Sequence, residues 1–248
     1  MIEIDIMGLV VGFIPTLAVL TIIYVWVAGI GTGLYATARM LGQLLLVGFV
    51  LVFIFESDDP LFIAGVLLIM LLVASKIAIR PIPGSTTREF FLALAAISVS
   101  SLATLALVTQ GVIGVEPWFS PRYVVPLAGM IIGGAMNAVS LAGERLHVEM
   151  SRGESYVEAR RTAFKASIIP ITNSLFAVGI VSLPGMMTGQ ILSGVSPLIA
   201  VKYQIVVMNM LFGATGVASA FYLVLRRPAT EPGASTPNSS HSAVNHKN

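Results

Sequence analysis

The sequence predicts an all-α, polytopic integral membrane protein with about seven transmembrane helices. Its 248 residues are 56% hydrophobic and only 10% charged, whereas soluble domains carry roughly 25% charged residues. The apolar residues also fall in long runs, and a bilayer core needs roughly 17–25 such residues per helix. Cysteine is absent, which excludes disulfides, thiolate metal sites and cysteine nucleophiles.

Breaks in hydropathy divide the chain into its predicted spans. Glycines at 29, 31 and 33 predict a flexible connection after the first span, and Arg80-Pro81-Ile82-Pro83-Gly84 ends the third. Pro184-Gly185 breaks the sixth. The spans are about 8–28, 38–56, 60–79, 88–109, 122–142, 167–184 and 202–225.

The distribution of cations predicts the orientation. With the N-terminus outside, the outer side keeps only Arg122 and Lys202, and the acidic run from Glu56 to Asp59 also lies outside. Positive residues favour the cytoplasmic side, so we expect an N-out, C-in protein of the cytoplasmic (inner or plasma) membrane. Residues 1–227 form one transmembrane domain, and the polar composition of 228–248 predicts a disordered cytoplasmic tail.

A charged stretch at about 144–166, between the fifth and sixth spans, is predicted to be a cytoplasmic coupling helix. Met150, Val157 and Phe164 are seven residues apart and so share a helix face. Ser155 with Glu158 fits a capping box, and so does Ser151 with Glu154. The stretch is interpreted either as a docking site for a partner protein or as a solvated helix on the membrane surface. The candidate docking residues are Met150, Ser155, Val157, Glu158, Arg160, Arg161 and Phe164.

Motifs for chemistry on this chain itself are missing from the sequence. Two of the histidines, His241 and His246, lie in the tail, and no nucleophile–base set accompanies His147. None of the lysines follows a glycine, so the chain has no G-x-x-x-x-G-K-[ST] loop for ATP. We therefore expect no enzyme activity and no cofactor bound by this chain.

Polar groups within the spans are amides and hydroxyls, which either line a path or join helices. Asn137 and Asn173 are notable because they flank the charged stretch. Separately, the break at Pro184 frees backbone carbonyls, so 182–190 is predicted to be a gate or exit. Methionines here serve either as soft ligands or, more commonly, as packing. The candidate path or gate residues are Asn137, Asn173, Ser182, Pro184, Met186 and Met187.

Two further features concern partners. Gly129-x-x-x-Gly133, Gly134 and Ala138 would let helices approach closely, and this face is a candidate for dimerisation. The acids Glu56, Asp58 and Asp59 are weak candidates for a metal site at the outer surface, with a plain polar loop as the alternative.

Four runs resemble the FetB-type permease family. They are PLAGMIIGGAMNAVSLAGERL (126–146), EARRTAFKASIIPITNS (158–174), VGIVSLPGMMTGQILSG (178–194) and VKYQIVVMNMLF (201–212). Members are membrane subunits of ABC transporters associated with iron export, and plant relatives are linked to aluminium tolerance. The charged stretch also resembles the coupling segment of ABC permeases, through Gly153, Ser155, Glu158, Ala159, Ile169 and Pro170.

The resemblance implies a permease subunit that exports iron or another metal, paired as a homodimer with two ATPase subunits. ATP and Mg would then be bound by the partner ATPase, and no nucleic acid is expected. Two alternatives stay open from the residues alone. One is a non-transporting membrane scaffold or sensor that binds a cytoplasmic protein, and the other is ABC export of a small organic solute.

Overall fold

The structure is a computed structural model that describes residues 5–27 and 29–227. Within these residues nearly all segments are helical, and no β-strand is present beyond one isolated bridge between Val178 and Ser182. The all-α membrane fold is therefore confirmed. Segments long and apolar enough to cross a membrane are Ile6–Val27, Gly31–Phe55, Pro60–Ala78, Thr87–Ile113, Pro121–Ser151 and Pro197–Leu225. The tail predicted at 228–248 lies outside the described residues.

The chain divides into two compact units, one up to Ser57 and one from Asp58 onward. The first unit consists of α1 (Ile6–Gly12), α2 (Ile14–Val27) and α3 (Gly31–Phe55).

In the first unit, α3 begins earlier than predicted, because Gly31 and Gly33 are helical and do not form a flexible connection. A glycine inside a helix costs roughly 1 kcal/mol. A backbone group left unpaired in a bilayer costs several kcal/mol, so continuing the helix through these glycines is the less costly arrangement. Asp5 caps α1 by accepting a hydrogen bond from the Gly8 N–H at 2.7 Å.

The second unit carries the remaining helices, which begin at residues typical of helix starts. Asp59 caps the first of them by accepting from the Leu61 N–H at 2.9 Å, with Pro60 at the first helical position. The helices are α4 (Pro60–Ala78), α5 (Thr87–Ala106), α6 (Pro121–Ser151), α7 (Tyr156–Ala177), α8 (Gly185–Leu192) and α9 (Pro197–Leu225). A π-helical segment, Leu107–Ile113, continues α5.

Helix α6 is the centre of the second unit and packs against α4, α5, α7 and α9. Its small residues allow this packing: Ala135 and Ala138 are fully or almost fully buried. A Cβ on Gly134 would lie 3.1 Å from Thr215 Oγ1 of α9, and one on Gly129 would contact Met70 of α4. The stripe proposed for dimerisation is thus largely used inside the protomer, because it faces α4 and α9.

Helices α6 and α9 run in the same direction, since Gly134 faces Thr215 and, further along both helices, Gly143 faces Tyr222. Their C-terminal ends lie with the turn between α6 and α7. We call this end of the second unit the hairpin end and the other the distal end. The end of α4 and the start of α5 also lie at the hairpin end, because Ile82 contacts Gly143 and Glu89 contacts Arg226.

Two predicted elements differ in the structure. The span predicted at about 167–184 is not one apolar helix: α7 starts in the charged stretch, ends at Ala177 and is followed by a turn and the short α8. The coupling helix predicted at about 144–166 is not a separate helix either, because α6 continues to Ser151 and α7 starts at Tyr156. Their charged ends form a helical hairpin.

Candidate functional site

The hairpin turn is set by one glycine and one serine. Gly153 has φ +88°, a left-handed conformation that side-chain-bearing residues rarely adopt. Its N–H donates to the Met150 carbonyl at 3.1 Å and so closes the end of α6. Ser155 then caps α7 by accepting from the Glu158 N–H at 3.4 Å. Of the two caps that the sequence allows, the structure has the one at Ser155.

The charged side chains on the α6 side of the turn are held in place by an acid. Glu149 is only 8% exposed. One of its carboxylate oxygens lies 2.6 Å from the guanidinium of Arg145 and 3.6 Å from that of Arg152. Arg145 is thus paired closely with a largely buried carboxylate, whereas the Arg152 side chain is 64% exposed and its contact is that of a surface pair. On α7, Arg161 and Glu158 form such a surface pair, because they are 4.0 Å apart and both side chains are largely exposed.

A groove of about 400 Å³ lies between the first turns of α7 and the last turns of α9. Aliphatic and aromatic side chains form most of its lining, and charged side chains of α7 lie among them. The lining residues are Val157, Glu158, Arg160, Arg161, Phe164, Ala220, Leu223 and Val224. An apolar groove with both signs of charge in its wall can hold apolar side chains of a partner and orient them by ion pairs. We call it the hairpin groove.

Five of the predicted docking residues line this groove, and the other two do not. Ser155 serves as the cap of α7. Met150 belongs to α6, on the other side of the turn, so the helix face predicted to join Met150, Val157 and Phe164 does not exist. The left-handed turn at Gly153 interrupts the helical period on which that face depended.

Helix α7 is fixed to α9 directly beneath the groove. The Tyr156 hydroxyl donates to the Leu223 carbonyl at 2.5 Å, and the guanidinium of Arg160 lies over the Tyr156 ring, 5.6 Å from its centre. Further along, the hydroxyls of Ser167 and Ser219 are 2.6 Å apart. Because these contacts join α7 to α9, a displacement of either helix would also displace the wall of the groove.

A second polar cluster joins α5, α6 and α9 behind the groove. Arg226 Nε donates to one Glu89 carboxylate oxygen at 2.9 Å, and the Tyr222 hydroxyl donates to the other at 2.7 Å. Arg226 Nη1 also donates to the Gly143 carbonyl at 2.8 Å. The Arg226 and Glu89 side chains are 15% and 13% exposed. We call these four residues the α5–α9 clamp.

Sequence reasoning missed the clamp. Its acid and its base are separated by more than half of the chain, and each stands at a helix end, where charged residues are common. The only signal was that both helix ends were predicted on the same side of the membrane.

A model described as "Uncharacterised protein family (UPF0014)" matches residues 6–229. The chain belongs to the UPF0014 family. No solved structure matches it.

Relatives of this UPF0014 protein occur in bacteria and plants. A UPF0014 membrane protein of Synechocystis is 39% identical over 73% of this chain and 76% of its own length. The Escherichia coli relative is 36% identical over 78% of this chain and 80% of its own, and is named "Probable iron export permease protein FetB". Arabidopsis thaliana "Protein ALUMINUM SENSITIVE 3" is 33% identical over 76% of this chain and 73% of its own.

The predicted path and gate residues of the UPF0014 protein are not gathered in one place. Asn137 and Asn173 are exposed on α6 and α7. The Ser182 carbonyl accepts from the Gly179 N–H at 3.0 Å in the turn that follows α7. Pro184 directly precedes α8, and its carbonyl accepts from the Thr188 N–H at 3.0 Å.

Met186 and Met187 lie in two different cavities, because neighbouring residues of a helix point in different directions. Met186 lines a cavity of about 310 Å³ at the distal end, with Arg122, Gln190 and Tyr203 among its other lining residues. Met187 lines one of about 280 Å³ with Gln204, Met208 and Asn209. Helix α8 thus separates two cavities, which sequence reasoning did not anticipate.

Two of the acids proposed as weak metal ligands lie at helix ends. Glu56 is the residue at the end of α3, and Asp59 caps α4. Across residues 5–27 and 29–227, no group of three or more histidine, aspartate or glutamate side chains is arranged to hold a metal ion.

Proposed function

We propose that this chain is the membrane-spanning permease subunit of an ABC transporter, paired as a homodimer and driven by separate ATPase subunits that bind ATP and Mg. The observation that carries the proposal is the hairpin groove, an apolar recess with charged walls at the end of two long helices. The transported species is proposed to be iron, because the Escherichia coli relative is named as a probable iron export permease.

The proposed orientation places the hairpin groove in the cytoplasm. In the second unit the hairpin end carries most of the cations. They are Lys76, Arg80, Arg88, Arg145, Arg152, Arg160, Arg161, Lys165, Arg226 and Arg227. The distal end carries Arg122 and Lys202. The positive-inside rule then favours the hairpin end as the cytoplasmic one.

Helix α7 is the element that would carry motion from the groove into the membrane. Its 22 residues span about 33 Å at 1.5 Å per residue, from the groove to the turn before α8. Pro170 lies inside it and removes one backbone hydrogen bond, so a bend at that point costs less than elsewhere in the helix. A partner that displaces the start of α7 would shift the turn at Val178–Ser182, and with it the proposed gate at 182–190.

Docking is tested by reversing two charges in the groove wall. The double variant Glu158→Lys, Arg160→Glu is expected to lose co-purification with the ATPase and to keep its elution profile in detergent. The matched control is Arg122→Glu, Lys202→Glu, which reverses exposed charges at the distal end. Undiminished co-purification of the groove variant would contradict docking at this site.

Function is tested by reconstituting the permease with a candidate ATPase and measuring ATP hydrolysis with and without Fe(II). Hydrolysis that needs both subunits and rises with Fe(II) would support the whole proposal. Hydrolysis indifferent to Fe(II) would keep the transporter and favour another solute, such as a small organic molecule. Binding of a cytoplasmic protein without ATP hydrolysis would instead favour the scaffold or sensor.

A further inference from the structure

The cavity of about 310 Å³ at the distal end has one charged side chain in its lining, and we call it the distal cavity. That side chain is Arg122, the second residue of α6. Among the described residues no carboxylate pairs with Arg122, whereas four other arginines have an acidic partner. A guanidinium has five N–H donors and no acceptor, so Arg122 is free to bind an anion that enters from outside the protein.

A second polar group in the same lining also lacks a partner. Gln190 lies on α8, and its Oε1 is buried without a hydrogen-bond donor among the described residues. A buried acceptor without a donor is unfavourable, and a hydroxyl or N–H group of a ligand would satisfy it. The two groups together fit a ligand that is both an anion and a hydrogen-bond donor.

The polarity of the lining changes along the helices. Arg122 stands at the start of α6, and Met130 stands eight residues later, about 12 Å further along the axis at 1.5 Å per residue. Val207 of the lining is likewise ten residues beyond the start of α9. Both helices are candidate membrane spans that start at the distal end. The charged part of the cavity therefore lies toward the membrane surface, and apolar side chains lie toward the membrane interior.

The distal cavity is also open on one side. Tyr123, Pro126 and Ile199 of its lining are exposed at the protein surface. A phospholipid is larger than the cavity, so its head group and the first part of one chain would fill the space while the rest of the lipid stays in the bilayer. The other cavities differ, because that of about 280 Å³ has no ionisable side chain in its lining and the hairpin groove has charges of both signs.

We propose that the distal cavity binds an anionic phospholipid whose head group carries hydroxyl groups, of the phosphatidylglycerol type. Arg122 holds the phosphate, a head-group hydroxyl donates to Gln190 Oε1, and one chain follows the apolar wall toward Met130 and Val207. The inference goes beyond the proposed function, since it requires neither the ATPase, nor a second copy of the chain, nor iron. Lipid binding and ATP hydrolysis are measured separately, so either proposal can fail alone.

Lipid retention by the full chain tests the phosphate contact. The protein is released from nanodiscs of phosphatidylcholine with a minor share of phosphatidylglycerol, and the retained lipids are counted by native mass spectrometry. Arg122→Gln is expected to lower retention of phosphatidylglycerol roughly 10-fold, because a hydrogen bond to a charged group is lost.

The matched control is Lys202→Gln, which removes the other cation of the distal end and does not touch the lining. It is expected to retain phosphatidylglycerol as the unaltered chain does. Absence of phosphatidylglycerol from the unaltered chain, or equal retention by the two variants, would overturn the proposal.

A pair of lipids tests the contact with Gln190. Phosphatidylethanol has the same phosphodiester and the same charge as phosphatidylglycerol but no head-group hydroxyl. The unaltered chain is expected to prefer phosphatidylglycerol by roughly 3-fold or more, as for one neutral hydrogen bond. Gln190→Leu is expected to lose that preference and still retain phosphatidylethanol. Equal retention of the two lipids by the unaltered chain would overturn the role of Gln190.

A soluble competitor distinguishes a lipid from a free anion. Glycerol 3-phosphate supplies a phosphate and hydroxyl groups without an acyl chain. Added in an amount equal to the lipid, it is expected to leave phosphatidylglycerol bound, because the apolar wall gains nothing from it. Displacement of the lipid would show that the cavity recognises the free anion and would overturn the lipid assignment.

Discussion

At the hairpin end of the second unit, side chains of α5, α6, α7 and α9 are joined by hydrogen bonds and an ion pair, whereas at the distal end polar side chains line cavities. Glu89, Tyr222 and Arg226 satisfy one another at the first end. Gln190 and Gln204 each keep a buried oxygen without a donor among the described residues at the second. On α6 near the hairpin turn, Arg145 Nε and Glu149 Oε1 are likewise buried without a hydrogen bond to a described residue. The comparison therefore teaches that the hairpin end is distinguished by polar contacts that join different helices, and not by complete satisfaction of its buried polar atoms.

The largest expected effect comes from breaking the α5–α9 clamp. Arg226→Ala leaves the Glu89 carboxylate largely buried without its cation, which costs about 3–5 kcal/mol for a pair of this kind. We expect a clearly lower midpoint of thermal unfolding in lipid nanodiscs, and only a small change for Arg122→Ala at the distal end. Equal midpoints for the two variants would contradict the contrast between the ends.

The next largest effect on stability is expected from overpacking at Gly143 of α6, and Gly133 on the same helix provides the control. A methyl group at Gly143→Ala would collide with the Ile82 side chain and lie 3.1 Å from the Tyr222 ring. We expect a loss of about 1–3 kcal/mol. Gly133→Ala on the same helix meets nothing within 4 Å, so it should leave the unfolding midpoint unchanged or raised. The reverse order of the two variants would show that the packing around Gly143 is not rigid.

Removing the hydroxyl that fixes α7 to α9 should have a smaller effect on stability. Tyr156→Phe loses the hydrogen bond to the Leu223 carbonyl, worth about 1 kcal/mol. Because this bond joins the two walls of the groove, ATP hydrolysis by the reconstituted complex should fall while binding of the ATPase persists. Tyr203→Phe, at the distal cavity, is the control. Unchanged hydrolysis in both variants would remove Tyr156 from the coupling route.

The smallest effect is expected at the exposed groove wall. Glu158→Ala breaks an ion pair with Arg161 that is long and more than half exposed, so its free energy of unfolding should change by less than about 0.5 kcal/mol. Any loss of ATPase binding by this variant would then be due to the altered groove surface and not to a loss of stability. A large drop in the unfolding midpoint would instead show that Glu158 supports the fold.

Much of the fold could be predicted because it depends on local signals. Proline and a capping acid mark the start of α4, and Ser155 with Glu158 marks the start of α7. The hydropathy that defines a span is likewise read over about 20 consecutive residues.

The rest depends on residues that are distant in sequence or on packing. Glu89 and Arg226 meet only because α5 and α9 both end beside Gly143, which no local pattern reveals. Met186 and Met187 seemed one feature in sequence, and the direction of each side chain assigns them to different cavities. Gly31 and Gly33 were expected to interrupt a helix, and backbone pairing overrides their low helix propensity.

The parallel course of α6 and α9 has a consequence for sidedness. Both helices end at the hairpin end, so between them the chain returns to the distal end through α7 and α8. The returning helix, α7, therefore starts in the charged stretch and ends at Ala177, before α8 begins. In the second unit, Asp59 at the start of α4 consequently lies at the distal end and Arg226 at the end of α9 lies at the hairpin end.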